Sequence, residues 1–358
     1  MKFGTFDHLE MRRGVALADL YEERLKLVEQ ADRAGIYCWL TAEHHHSPLC
    51  MAPNQMVFFA AAAARTSRIK LGSLVSVLPL HHPVRLLEEL CMMDHISKGR
   101  LQIGVGKGPT GSEFAMWGGD PDARQSVFDE AMVILLQGMQ NEFLDFKGRH
   151  FSYSNLWMAL RPYQTPHPPF WYGENAATAG RLRANAVFHG SNKSLVDKIK
   201  TYKAAFAAST PDWRTGICHN DAPLYGTTRR VYLAPTLDEA RERARASYEV
   251  YLTNFRKPAT DDLVEGHVRI PRVPPPKFGP TAISFDQGIA GESVVAGPPS
   301  MLRDHLRDYM RTTEGNYYGL SFQWGDLTHE EASRSMQLFA DEVMPLADEM
   351  GARQRVSA

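Results

Sequence analysis

The run Lys70-Leu71-Gly72-Ser73-Leu74-Val75-Ser76-Val77-Leu78, followed by Pro83–Met93 and then by Arg100-Leu101-Gln102-Ile103-Gly104-Val105, decides the fold. The first piece is rich in branched aliphatic residues, the second opens on a proline and reads as a helix, and the third is again strand-like. A strand, a helix and a second strand in that order require parallel pairing through a right-handed crossover. The same alternation recurs on both sides. Toward the N-terminus, Lys2–Phe6 is a short strand, and Leu17–Ala34 carries Leu17, Leu20, Leu25, Val28 and Ala31 at helical spacing before a stop at Gly35. Tyr37–Thr41 is a buried strand, and a helix runs from Pro53 through Ala64.

Beyond residue 105, Asp122–Glu142 is a long helix. Four further units follow: Pro168–Tyr172 with Ala176–Arg183, Ala186–His189 with Leu195–Ala208, Arg229–Leu233 with Leu237–Phe255, and Tyr317–Trp324 with His329–Asp341. Eight βα units predict an α/β fold of the closed (β/α)8 TIM-barrel type, one domain over residues 1–358, with an open doubly wound sheet as the alternative. Two stretches break the pattern. Lys147–Pro169, rich in aromatic and turn residues, reads as a hairpin or excursion, and Arg256–Pro299 as a long insertion carrying eight prolines. The second is either a mobile lid over the active end or a surface excursion packed on the barrel.

Composition narrows the function. The 358 residues include 40 Lys and Arg against 41 Asp and Glu, for a formal net charge of -1, which argues against nucleic-acid or membrane-surface binding. No apolar run reaches the length that spans a bilayer. The opening Met1-Lys2-Phe3-Gly4-Thr5-Phe6 lacks the apolar core of a signal peptide, so a cytoplasmic protein is expected. Cys38, Cys50, Cys91 and Cys218 are scattered without a CxxC pair, so neither a disulfide framework nor a zinc site is expected.

In an eight-stranded barrel the residues just after the strands line the catalytic mouth. Here these are Glu43-His44-His45-His46, Pro79-Leu80-His81-His82, Gly104-Val105-Gly106-Lys107-Gly108 and Gly173-Glu174-Asn175-Ala176-Ala177-Thr178. Three successive histidines on an extended segment point in different directions, so no metal site is expected; a strand-end histidine suits proton transfer near neutral pH. The alternate glycines either let backbone approach a flat ligand or simply turn the chain, with Lys107 adding a cation beside them. Glu174–Thr178 enters a helix, whose free N–H groups either bind an anion or are capped by Asn175. Asp94 and Arg100, on the opposite end of the barrel, read as a structural pair. Trp39, Phe114, Trp117, Trp157, Trp171 and Trp324 are candidates to surround the mouth or to fill the core.

Taken together, Met1-Lys2-Phe3-Gly4, Glu43-His44-His45, Leu78-Pro79, His82-Pro83-Val84-Arg85, Asp94-His95-Ile96-Ser97-Lys98-Gly99-Arg100, Gly173-Glu174-Asn175, Leu338-Phe339 and Val343-Met344-Pro345 are similar, in order and spacing, to the bacterial luciferase-like flavin monooxygenases. The chain resembles that family from end to end, and the family's fold is a (β/α)8 barrel. The resemblance implies a two-component monooxygenase in which FMN, supplied reduced by a separate NAD(P)H-dependent flavin reductase, reacts with O2 to give a flavin hydroperoxide that oxygenates a small organic substrate; the aromatic candidates above point to an apolar or aromatic one. It implies His44 as the catalytic histidine. It implies a cofactor site made of Glu43, Leu74 and Val75, joined by a non-proline cis peptide, together with Gly106, Lys107, Glu174, Asn175 and Thr178, the last four on or near the flavin phosphate. A homodimer through the second and third helices is the family expectation. Val105-Gly106 stands where luciferase itself has a reactive cysteine, so light emission and aldehyde specificity are not expected. A deazaflavin-dependent hydride-transferring oxidoreductase and a non-catalytic flavin-binding protein are the alternatives.

Overall fold

A computed structural model describes residues 1–108, 113, 117–211, 220, 222–256 and 283–346. Eight parallel strand positions close a ring. They are β1 (Lys2–Asp7), β2 (Cys38–Thr41), β3 (Lys70–Ser73) with its continuation β4 (Ser76–Val77), β5 (Leu101–Gly106), β8 (Phe170–Tyr172), β9 (Asn185–Val187), β10 (Tyr225–Leu233) and β12 (Tyr317–Ser321). Each pairs with the next, and β12 returns to β1 in the register Lys2↔Tyr317 through Thr5↔Leu320. This is the expected barrel, with all eight predicted strands in place. Two elements lie off the ring: the antiparallel hairpin β6 (Phe143–Lys147) with β7 (Ser152–Trp157), and β11 (Val294–Gly297), which pairs with the outer half of β10.

Helices α1 (Leu17–Ala34), α2 (Gln55–Arg65), α3 (Pro83–Ile96), α4 (Arg124–Gln140), α5 (Ala176–Arg181), α6 (Asn192–Ala207), α7 (Leu237–Arg256), α8 (Phe285–Ala290), α9 (Pro299–Thr313) and α10 (His329–Leu338) surround the ring. Local chemistry sets their ends. Gly35, at φ 82°, closes α1 with its N–H on the Ala31 and Asp32 carbonyls. The second helix starts at Gln55 rather than Pro53, because the Asn54 side chain caps it on Val57 N. Thr328 and Glu331 form a reciprocal capping box for α10. Among the described residues no helix is long and apolar enough to cross a membrane.

Several boundaries differ from expectation. The excursion is a hairpin that begins at Phe143, because α4 ends once Asn141 turns extended. The predicted insertion is in part regular: residues 284–297 cap and form α8, then pair as β11 on β10, and α9 begins at Pro299. The remainder of the expected lid, residues 257–282, lies outside the described residues, as do Cys218 and Phe114. Asp94 and Arg100 are structural but not partners. Asp94 accepts from the backbone and side chain of Gln164, while Arg100 donates to Ser97, Thr66, Ile69 and Ala63.

Period-two alternation fixes which side chains enter the ring. The lower layer contains Cys38, Gln102, Trp171 and Tyr317, and Trp171 Nε1 donates to Gln102 Oε1 at 2.9 Å. Gly226 belongs to this row because a Cβ there would lie 1.8 Å from the Tyr317 carbonyl. Above it come Phe6, Leu40, Leu74 and Val187, an apolar floor beneath the mouth. A separate and larger core of Leu, Ile, Phe and Met side chains fills the gap between ring and helices.

Candidate active site

The β2 exit is organised by Glu43, only 3% exposed. Its Oε1 meets His45 Nε2 at 2.8 Å and His81 Nε2 at 3.0 Å, and its Oε2 accepts from Val77 N at 2.9 Å. Burial would raise this carboxyl, but the hydrogen bonds from His45 and His81, the His81 charge and the Val77 amide together hold it down to about 2. The same contact raises His81 against its own burial. Glu43 therefore acts through its neighbours, tying the ends of β2 and β4 together. His44 points elsewhere. Its Nδ1 lies 3.1 Å from Glu113 Oε1, an oxygen that also accepts from His45 N, and its ring stacks on His8 with centroids 5.8 Å apart. With Nδ1 so engaged, Nε2 is the ring nitrogen left to exchange a proton with a ligand.

Between β3 and β4 the Leu74-Val75 peptide is cis, as the resemblance implied. Surrounding side chains hold this segment. Gln55, from the first turn of α2, donates to the Thr41 carbonyl at 2.7 Å and the Val75 carbonyl at 3.4 Å, and accepts from Ser76 Oγ at 3.1 Å. Leu74 N bonds the Thr41 carbonyl, and Ser73 Oγ exchanges hydrogen bonds with both N and O of Gly104. The glycines of β5 serve this neighbouring chain. A Cβ at Gly104 would sit 2.0 Å from the Ser73 carbonyl oxygen, and one at Gly106 would sit 2.5 Å from Val75 Cγ2. Gly173, one strand further, is different: its Cβ would meet only methyl groups of Val187 and Leu74, at 3.6 and 3.9 Å, which is ordinary contact.

Lys107, Glu174 and Tyr172 meet at the ends of β5 and β8. Lys107 Nζ is 3.2 Å from Glu174 Oε2, Lys107 N donates to Glu174 Oε1 at 3.1 Å, and the Tyr172 hydroxyl donates to Glu174 Oε2 at 3.3 Å. Asn175 is the cap of α5, its Oδ1 accepting from Thr178 N at 3.0 Å. That leaves the N–H groups of Ala176 and Ala177 without intrahelical acceptors. Sequence reasoning missed Arg124, whose Nη1 donates to the Gly108 carbonyl at 2.9 Å and so brings a second cation to this rim.

The opposite wall was also missed. His8 follows β1 on the inward row of Gly4 and Phe6, His189 follows β9 on the row of Asn185 and Val187, and Arg230 lies on the row of Gly226 and Thr228. Burial, with Arg230, His44, His189 and Arg24 nearby, pushes the His8 imidazole well below its ordinary range. Burial, Arg229, Arg230 and Lys198 push His189 down to about 4. Glu10, at the same level, is raised by burial to about 7 despite Arg230; its Oε2 accepts from Asn254 Nδ2 at 3.2 Å and Gly325 N at 3.0 Å. Only the two-residue alternation from the strands could have found these groups, since none of them belongs to a motif.

The aromatic candidates divide differently from expectation. Trp171 lies inside the ring, Trp39 and Trp324 are buried in separate cores, and Trp157 is exposed on the hairpin. Trp117 alone of the described set stands by the predicted site, edge-on to His45 at 5.2 Å. The upper layer of the mouth is thus more polar than a tryptophan-lined pocket.

Comparison with known proteins agrees with this geometry. An uncharacterized protein of Sinorhizobium fredii is 32% identical over 96% of both chains. The oxygenase component of a flavin-dependent trigonelline monooxygenase from Acinetobacter baylyi is 24% identical over 98% of this chain and 96% of its own. The oxygenating constituent of 3,6-diketocamphane monooxygenase from Pseudomonas putida, a type II Baeyer-Villiger enzyme solved with FMN, superposes with a TM-score of 0.76 at 19% identity, covering 97% of this chain and 98% of its own. A family model described as luciferase-like monooxygenase matches residues 1–313. The chain belongs to the luciferase-like monooxygenase family.

Proposed function

We propose that this protein is the oxygenase component of a two-component, FMN-dependent monooxygenase. The observation that carries the reading is the clamped Leu74-Val75 segment beside Gly173, which carries no side chain, next to a strand end that presents His44. The residues fit a flavin. A flat ring system needs a backbone platform and no side chain above it, which the Leu74-Val75 peptide and Gly173 supply, with Gly106 permitting Val75 its position. Lys107, Arg124 and the N–H groups opening α5 suit a phosphate, with Asn175 and Thr178 fixing that turn. Glu174 orients the Lys107 ammonium.

Reduced FMN, when bound, supplies the electrons that activate O2. The chain's own residues do the rest. His44 Nε2 exchanges the proton, its ring held by Glu113 at Nδ1 and by stacking on His8; Glu43 fixes the backbone on which His44 stands. The naming of a relative as an oxygenase component supports delivery of reduced FMN by a separate NAD(P)H-dependent flavin reductase. Exposed Val57 on α2 and Met92 and Ile96 on α3 support a homodimer through those helices.

The test is stopped-flow mixing of the protein, loaded with anaerobically reduced FMN, against aerated buffer. Flavin reoxidation in phases distinct from those of free reduced FMN is expected. Weak FMN binding with reoxidation as in buffer, alongside tight binding of a deazaflavin, would transfer the protein to the hydride-transferring branch of the fold.

A further inference from the structure

The mouth contains a charge that the flavin reading leaves unused. Arg230 is half-buried on the inward row of β10, across the ring from the glycine-lined strands. Its guanidinium carbon lies 3.5 Å from the Tyr251 ring centroid, a distance that requires the planar group to lie face to face on the ring. That stacking directs the N–H edge of the guanidinium sideways. Apart from Tyr251, the side chain has no hydrogen-bond or ion-pair partner among the described residues. Arg229, its neighbour, is quite different: it faces out of the ring and donates to Thr227, Thr228 and Gly190.

The groups facing Arg230 do not neutralise it. Glu10 is the acid at its level, but Glu10 Oε2 is taken by Asn254 and Gly325 and no ion pair with Arg230 forms. Asp7 is turned away, paired with Arg24 at 3.3 Å. His8 and His189, on the inward rows of β1 and β9, are both pushed down toward the neutral imidazole, mainly by burial and in part by this guanidinium, and each can donate or accept a hydrogen bond. Below them lie Phe6, at 4.8 Å from the His8 ring, and Val187. A half-buried guanidinium braced on an aromatic face matches a planar bidentate oxyanion better than any neutral group.

We propose that the substrate is an organic carboxylic acid whose carboxylate is held by Arg230, flanked by His8 and His189, while its apolar body rests over Phe6 and Val187 toward the flavin side. The proposal rests on the flavin reading for what happens to that substrate, but not for its binding. Arg230 is thereby a specificity-determining residue. It sets the oxidisable carbon at a fixed distance from the acid group.

The experiment uses the full chain, with and without oxidised FMN, and three probes: benzoate, cyclohexanecarboxylate and octanoate, each paired with its uncharged primary amide. Binding is followed by calorimetry and ligand-observed NMR. At least one acid is expected to bind about tenfold or more tightly than its amide, and Arg230→Met is expected to abolish that preference with FMN affinity unchanged. Arg230→Lys, which keeps the charge without the fork, is expected to retain a reduced preference and keeps the test open should the methionine variant fold poorly. Equal binding of acids and amides to the wild-type chain, or binding of none, overturns the proposal. So does an Arg230→Met variant that keeps acid binding but loses FMN affinity, since the guanidinium would then serve the flavin. FMN titration of the wild-type protein separates the two readings: failure there removes the proposed cofactor, whereas the acid-over-amide preference stands or falls by itself.

Discussion

The two walls of the barrel mouth are built on opposite principles. On the side of β3, β5 and β8 the chain removes side chains and spends its hydrogen bonds on backbone: Gln55, Ser73 and Glu43 all grip main-chain groups, and Gly104, Gly106 and Gly173 leave room. On the side of β1, β9 and β10 it does the reverse, gathering titratable side chains at one level: Glu10 buried, His8 and Arg230 half-buried, and His189 at the exposed edge. A platform tolerates little change in shape, because close-packed backbone has nowhere to move. A ring of titratable groups tolerates changes of shape better than changes of charge. His44, at the β2 exit, stands between the two.

The largest expected effect is at that junction. His44→Ala should lower the rate of substrate oxygenation by about 100-fold or more, the usual weight of a positioned acid or base. FMN affinity should stay within a few-fold of wild type, because the ring bonds Glu113 and stacks on His8 rather than supporting the platform. Product analysis beside an FMN titration checks both halves. An equal loss in the two would mean that His44 belongs to the platform.

The platform was legible in the sequence and the opposite wall was not, for a physical reason. A backbone site needs glycines, turns and helix starts at fixed spacing, so Glu43-His44-His45, Gly104–Gly108 and Gly173–Thr178 stood out as strings. The barrel itself was legible because eight alternations of strand and helix have few other ways to close. His8, His189 and Arg230 come from three distant segments and meet only because the ring closes with β1 between β12 and β2. The contact of His44 with Glu113 has a separation of 69 residues and no local signature. Tryptophans misled for a related reason: size alone does not distinguish a pocket wall from barrel filling, and Trp171, inward on β8, lies in the layer below the floor of the mouth.

A pair of glycine substitutions separates the shape of the platform from its use. At Gly104 a Cβ would lie 2.0 Å from the Ser73 carbonyl oxygen and 2.7 Å from its carbon, so Gly104→Ala must push two paired strands apart. Overpacking of that kind should cost about 3 kcal/mol, visible as a large drop in Tm. Gly173→Ala meets only methyl groups at ordinary contact distance and should leave Tm within about 2 °C. It should nonetheless weaken FMN binding, since the new methyl would stand on the face proposed to carry the flavin. If Gly173→Ala bound FMN normally, the flavin would have to lie elsewhere in the mouth.

The smallest expected effect tests whether the two walls differ in charge behaviour as well as in shape. Glu43, on the platform, is held down to about 2 by its hydrogen bonds, so the stability it contributes is complete above about 4.5 and is lost as pH falls toward 2. Glu10, on the other wall, is raised by burial from 4.5 to about 7, so the unfolded chain releases this proton first as pH rises. Folding stability therefore declines between about 4.5 and 7 through Glu10, by up to about 3 kcal/mol. His189, held neutral down to about 4, works against it: the unfolded chain binds its proton first, and stability rises from about 4 to 6.5. These opposed contributions overlap in the wild-type profile, where His8, also pushed down by burial, acts in the same direction as His189. Glu10→Gln exposes them, because the amide oxygen keeps the acceptor for Asn254 and Gly325 while removing the titration. The variant should be indistinguishable from wild type near pH 4.5 and more stable by about 1 kcal/mol at pH 8, part of the full cost having been relieved by relaxation around the carboxylate. Denaturant midpoints at the two pH values supply the comparison. A variant less stable than wild type at pH 8 would mean that an ionised Glu10 is stabilised by Arg230, and the guanidinium would then already have its counter-ion.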